Sequence, residues 1–149
     1  MPAFVRLPEG LRVRSDGTWV IGNAPVAHDR SLFYFKSHLV FEGGGAFVVD
    51  GGRRLPIAVE GPAFEVIRLS VEPLRGEARV TLDDGTEEAI ADETLGMDAA
   101  SGQFECAVRG GRARAVLSRA AHQSLLAHAE EEGGRFYLRA GPRRFRIRT

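Results

Sequence analysis

The sequence predicts an α+β protein, mainly antiparallel β, built as two related lobes with one helix each. Three observations lead there. Short apolar-alternating runs separated by glycine turns fill most of the chain, two longer runs show helical spacing, and the order hairpin, helix, hairpin occurs twice. The length of 149 residues with 44% hydrophobic and 27% charged side chains suits one globular unit or two small lobes.

The strand runs, in order, are 18–21, 46–50, 53–59, 63–71, 77–83, 86–91, 104–109, 112–117, 135–139 and 143–148. Each is bounded by turn residues, and DG at 84–85 sits between alternating runs as a hairpin turn. The helical runs are DRSLFYFKSHLVFEGG and SRAAHQSLLAHAEEEGG, with Leu32, Phe35 and Leu39 on one face of the first and Ala121 and Leu125 on one face of the second. Asp29 and Ser118 are the expected N-caps, because each can accept from orphan backbone N–H groups, and the trailing glycines are the expected C-terminal stops. The stretch ADETLGMDAASG reads as a polar loop.

Laid side by side, residues 29–45 and 118–134 are of equal length. GGAFVVDGGRRLPI (44–57) aligns with GGRFYLRAGPRRFRI (133–147) with one inserted turn residue, so Phe47 meets Phe136, Arg53-Arg54 meets Arg143-Arg144 and Ile57 meets Ile147. A boundary in the acidic connector divides the chain into an N-terminal β-rich lobe, 1–60, and a C-terminal β-rich lobe, 61–149.

The zero net charge conceals a segregation. Residues 1–59 carry +2, residues 60–105 carry −9 and residues 106–149 carry +7. Lys36 is the only lysine, so nearly every cation is a guanidinium, the group that binds carboxylate or phosphate bidentately. A genome-wide preference for arginine codons produces the same bias.

On the last strands, alternation places Phe145 and Ile147 on one face and Arg144, Arg146 and Arg148 on the other. Phe136 and Leu138 point inward, leaving Arg135, Tyr137 and Arg139 outside, and Arg112 and Arg114 take the same outward place opposite Ala113 and Ala115. If these strands share a sheet, they form a basic field containing one tyrosine. Such a field is neutralised by solvent, by the acidic stretch 72–93, or by an external anion. The candidate ligand-binding set is therefore Arg112, Arg114, Arg135, Tyr137, Arg139, Arg144 and Arg146, with Trp19 as a stacking platform or, more simply, a core anchor.

No catalytic, metal or cofactor motif emerges. His28, His38, His122 and His128 lack the i, i+4 spacing of a helical metal pair, and satisfied or solvated histidines are expected. The glycines at 43–45 and 51–52 do not run from strand into helix as a P-loop does. Cys106 is the only cysteine and sits in a strand pattern, which predicts a buried small hydrophobe. No membrane span, secretory signal or DNA-reading helix is evident, so a cytoplasmic address is expected and duplex DNA is not an expected partner.

The order DGTW (16–19), PV (25–26), GPAF (61–64), a long strand, an acidic hairpin and LSRAAHQSLLAHAEE resembles an uncharacterised bacterial family, domain of unknown function 1285, over nearly the whole chain. It departs from the family at Ala27-His28-Asp29-Arg30 and at His122-Gln123, as a divergent member would. The resemblance implies a duplicated β-rich structure whose second domain is superficially like a pleckstrin-homology barrel, with a ligand site between the domains and a role in signalling. The combined expectation is a non-catalytic ligand-binding or signalling module taking an anionic, nucleotide-like small molecule at the lobe interface. The alternative is a protein-interaction or homodimerisation module whose arginine face meets an acidic partner.

Overall fold

The computed structural model describes residues 7–149; the opening residues on which the expectation about a secretory signal partly rests lie outside them. The chain forms two compact units, one up to Ala63 and one from Phe64 to Thr149. The architecture is α+β with mainly antiparallel pairing. No helix among the described residues is long and apolar enough to cross a membrane.

The first unit contains β1 (Leu11–Val13), β2 (Trp19–Ile21), β3 (Ala24–Pro25), α1 (Asp29–Ser37), β4 (Leu39–Glu42), β5 (Gly45–Asp50) and β6 (Arg53–Val59). Its six strands lie in the order β3-β2-β1-β6-β5-β4. Two antiparallel meanders meet where β1 and β6 run parallel, at Arg12–Ala58 and Val13–Val59. Alternation decides which face is buried: on β5, Ala46, Val48 and Asp50 are buried between half-exposed neighbours. The core gathers Val13, Trp19, Val20, Phe35 and Val48. Burial contributes about 1.5–3 kcal/mol for each large apolar side chain.

The second unit begins with a meander, β7 (Phe64–Glu72), β8 (Glu77–Leu82) and β9 (Glu87–Ala89). It continues through β10 (Gly96–Met97), β11 (Phe104–Val108), β12 (Ala113–Leu117), α2 (Arg119–Ala127), β13 (Ala129–Glu132), β14 (Arg135–Ala140) and β15 (Arg143–Ile147). Six strands form the order β10-β11-β12-β7-β8-β9, and β13-β14-β15 form a further sheet. A parallel bridge between Gly96 and Arg148 joins the two, with Met97 N–H donating to Arg148 O at 2.8 Å and Arg148 N–H to Leu95 O at 3.0 Å.

The duplication is visible in the connectivity. From β10 to β15 the second unit repeats the succession from β1 to β6: two antiparallel pairings, a nine-residue helix, a three-stranded meander and a parallel return to the first strand. The strands β7–β9 precede this copy and pair with it through the parallel contact of β7 and β12.

Several expectations need correction. The helices end at Ser37 and Ala127, so the element after each helix is a meander of three strands and not a hairpin. His38 and His128 are the C-caps, and their carbonyls accept from Val49 N–H at 3.0 Å and Arg139 N–H at 2.9 Å, which turns the chain into the sheet. Leu39 is consequently a strand residue, and the following glycine pairs are turns between strands. Ser118 is an N-cap, accepting from Ala121 N–H at 3.2 Å, whereas the first N-cap is His28 with no side-chain bond and Asp29 lies in the first helical turn. The turn residue thought to be inserted is absent. From the helix through the three-stranded meander, elements and pairing register repeat at one constant offset, position 47 matching 137, so Phe47 corresponds to Tyr137 and not to Phe136.

Candidate functional site

The strand β14 buries Leu138 and Ala140 and turns Arg135, Tyr137 and Arg139 outward, while β15 buries Phe145 and Ile147 and turns Arg144 and Arg146 outward. Pairing register sets Arg139 opposite Arg144 and Tyr137 opposite Arg146. On β13, Glu130 lies opposite Tyr137 and Glu132 opposite Arg135, on the same face. Arg148 follows on that face by alternation, beside Gly96 of β10. Across β10 and β11 the outward positions continue with Glu105 and Ala107, and then with Arg114 of β12. The predicted arginine field therefore spans both sheets of the second unit, through the bridge at Gly96.

The field is partly neutralised by its own glutamates. Arg139 grips Glu130, with Nε donating to both carboxylate oxygens at 3.1 Å. Those bonds hold the Glu130 carboxyl below its ordinary range and raise that of Arg139. Arg144 pairs with Glu132 and lies over the Tyr137 ring, 4.1 Å from its centroid. Arg114 pairs with Glu105 at 2.9 Å. Arg135, Arg146 and Arg148 have no acidic partner among the described residues.

The acidic stretch 72–93, one of the three candidates to neutralise this face, is engaged elsewhere. Its residues Asp84 and Glu88 hold Arg109, and Asp92 holds Arg143 at 2.8 Å. Arg143 occupies the inward-facing phase of β15, where it lies over the Phe145 ring at 4.5 Å. The acidic and basic stretches belong to one unit, so these pairs are internal to it and do not join two lobes.

Gly96 and Ala107 leave a gap in the outward layer of side chains. There a cleft of about 420 Å³ opens, lined by Arg148, Arg114, Glu105, Asp98, Glu93 and Thr94 around Gly96. Gly96 is held small by its neighbour, since a Cβ would lie 3.2 Å from Arg148 O and 3.3 Å from Arg148 Cβ. Hydrogen bonds from Ser101 hold the Asp98 carboxyl below its ordinary range, and Arg114 adds a smaller pull in the same direction. Cys106 also borders the cleft, but burial pushes its thiol up to about 12.

The sequence set is thus divided. Arg114, Arg135, Tyr137, Arg139, Arg144 and Arg146 share the outward face, and Arg112 lies in the turn between β11 and β12. Trp19 is 3% exposed in the core of the first unit, its Nε1 donating to Ala63 O at 2.9 Å and its ring stacked 6.3 Å from Phe35, so it offers no open ring face. Sequence reasoning missed the cleft because β10 is only two residues long. Among the described residues, no group of three or more His, Cys, Asp or Glu is placed to hold a metal ion.

Comparison of the copies separates what the fold needs from what it does not. An Arg-aromatic-Glu set recurs: Arg54 lies 4.4 Å over Phe47 and pairs with Glu42 at 2.9 Å, as Arg144 does with Tyr137 and Glu132. Other outward positions change character, Val40 matching Glu130, Gly45 matching Arg135, Val49 matching Arg139, Pro56 matching Arg146 and Ala58 matching Arg148. The first copy builds the same meander with none of those charges.

Two solved structures share this fold. A DUF1285 family protein from Silicibacter pomeroyi DSS-3 has a TM-score of 0.68 and 23% identity, the match covering 92% of this chain and 78% of that one. A DUF1285 family protein from Shewanella baltica OS155 has a TM-score of 0.53 and 13% identity, covering 79% and 91% respectively. The chain therefore has a DUF1285-like fold. No protein-family model and no curated protein matches it.

Proposed function

We propose that this protein is a non-catalytic, cytoplasmic ligand-binding or signalling module whose second unit receives an anionic, nucleotide-like ligand on its arginine face. The observation that carries this reading is the exchange between copies. Four outward positions that are Gly, Val, Pro and Ala in the first copy are Arg135, Arg139, Arg146 and Arg148 in the second, and the meander forms without those charges. Guanidiniums gathered beyond what folding requires, three of them without an acidic partner among the described residues, suit a phosphate or carboxylate ligand, and Tyr137 adds a ring beside them. Binding without covalent chemistry accords with a Cys106 thiol that stays protonated at neutral pH.

Calorimetric titration with inorganic phosphate and with nucleoside monophosphates tests the reading. Binding should weaken as salt rises, because exposed charges are screened beyond about 8–10 Å at moderate ionic strength. Arg135→Gln combined with Arg146→Gln should reduce it at least about tenfold. Absence of binding at millimolar ligand sinks the proposal.

A second reading, an interaction or homodimerisation module, is favoured by one feature. The strand β13 is a sheet edge carrying Glu130 and Glu132 on the face of the arginine rows, a self-complementary pattern for a second copy. A concentration-dependent dimer in analytical ultracentrifugation, abolished by Glu132→Arg, would support it.

A further inference from the structure

We propose that the cleft at Gly96 binds an amphoteric ligand, one carrying a phosphate group together with an ammonium or amide N–H group. This deepens the anion-binding reading and rests on it.

The cleft holds both signs of charge without letting them cancel. Arg114 and Glu105 pair with each other, which leaves Arg148, Glu93 and Asp98 as the other charged side chains of the lining. None of these three makes an ion pair among the described residues, although they line one cleft. Asp98 is held ionised by Ser101, whose Oγ donates to it at 2.8 Å. Arg148 is anchored through its backbone, to Leu95 and Met97, so its side chain is not needed to hold the bridge.

A simple phosphate would satisfy the guanidinium and face the carboxylates with like charge. A ligand with a donor group a few atoms from its phosphate satisfies both sides at once. The volume of about 420 Å³ falls within the range of small-molecule sites, roughly 300–1,000 Å³. The gap depends on Gly96 and Ala107 having little or no side chain on the outward face. At the position matching Gly96 in the first copy, Arg12 stands instead, so the gap is particular to the second copy.

The test compares O-phosphoethanolamine with ethyl phosphate, which lacks only the ammonium group. Calorimetry should give at least about tenfold tighter binding for the first. Arg148→Gln should remove binding of both. Glu93→Gln, and separately Asp98→Asn, should narrow the preference while ethyl phosphate binds as well as before or better; thermal melting of each variant establishes that it is folded. Equal affinity for the two probes, with binding still lost in Arg148→Gln, overturns the amphoteric ligand and leaves the anion-binding reading standing. If neither probe binds while nucleoside monophosphates bind through Arg135 and Arg146, the cleft is not the site. If nothing binds, both proposals fall.

Discussion

The guanidinium of Arg144 lies 4.1 Å over the ring of Tyr137, and the matching pair in the first copy, Arg54 over Phe47, holds the same geometry at 4.4 Å. The ring is therefore part of the meander, and the hydroxyl is an addition to it. Tyr137→Phe should leave stability within about 0.5 kcal/mol of the parent in chemical denaturation. Tyr137→Ala should cost more, because it removes packing and a cation–π contact of about 0.5–1 kcal/mol. A large loss on Tyr137→Phe would mean that the hydroxyl has a structural partner.

The turns at Gly51 and Gly141 are matched in position and backbone, with φ of +63° and +61°, but not in surroundings. A Cβ at Gly51 meets nothing within 4 Å, whereas one at Gly141 would overlap the Pro73 carbonyl. Gly51→Ala should cost about 1–2 kcal/mol for the left-handed conformation alone. Gly141→Ala should cost clearly more, about 3 kcal/mol or above, because the turn must also move away from Pro73. Equal losses in urea denaturation would contradict the close approach.

Asp50 and its counterpart Ala140 show where the copies differ inside. Asp50 is 4% exposed, accepts from the Tyr34 hydroxyl at 2.5 Å and pairs with Arg53. Asp50→Ala should destabilise the first unit by about 1–3 kcal/mol, since it strips an acceptor from a buried hydroxyl. Tyr34→Phe with Asp50→Ala should cost less than the sum of the single changes, and a double-mutant cycle measures the difference. Strict additivity would show that the bond contributes nothing.

Alkaline conditions should weaken the fold in a defined window. Burial raises Cys106 from 9.0 to about 12, so between those values the unfolded chain has released a proton that the native chain keeps. Its contribution is whole below about pH 9 and is lost as pH rises toward 12. Tyr34 acts in the same sense above its ordinary value of 10.0, raised by burial first and by its bond to Asp50 second. Stability followed from pH 8 to pH 11 should fall less steeply in Cys106→Ala, whereas an unchanged slope would mean the thiol reaches solvent in the native state.

The sequence by itself determined ten of the strands, though not β1, β3, β4, β10 and β13, and the existence of the repeat, because alternation and glycine turns are local signals that survive without tertiary context. β6 at 53–59 and the inward phase of Phe145 and Ile147 follow directly from that period of two. It also determined which arginines face outward together. The helix ends were decided by tertiary structure: Leu39 continues a helical spacing, but the carbonyl of His38 is claimed by Val49, and the chain leaves the helix to become an edge strand. The same holds for the partners of charges. Composition gives an acidic stretch and a basic stretch that nearly cancel, yet Arg139 and Arg144 bond to Glu130 and Glu132, brought within reach by the meander's register, while Asp84, Glu88 and Asp92 serve Arg109 and Arg143. The cleft was the least legible feature. It exists because a two-residue strand places Gly96 against Arg148, across 52 positions of sequence, and no local pattern encodes a contact that depends on a parallel pairing between distant segments.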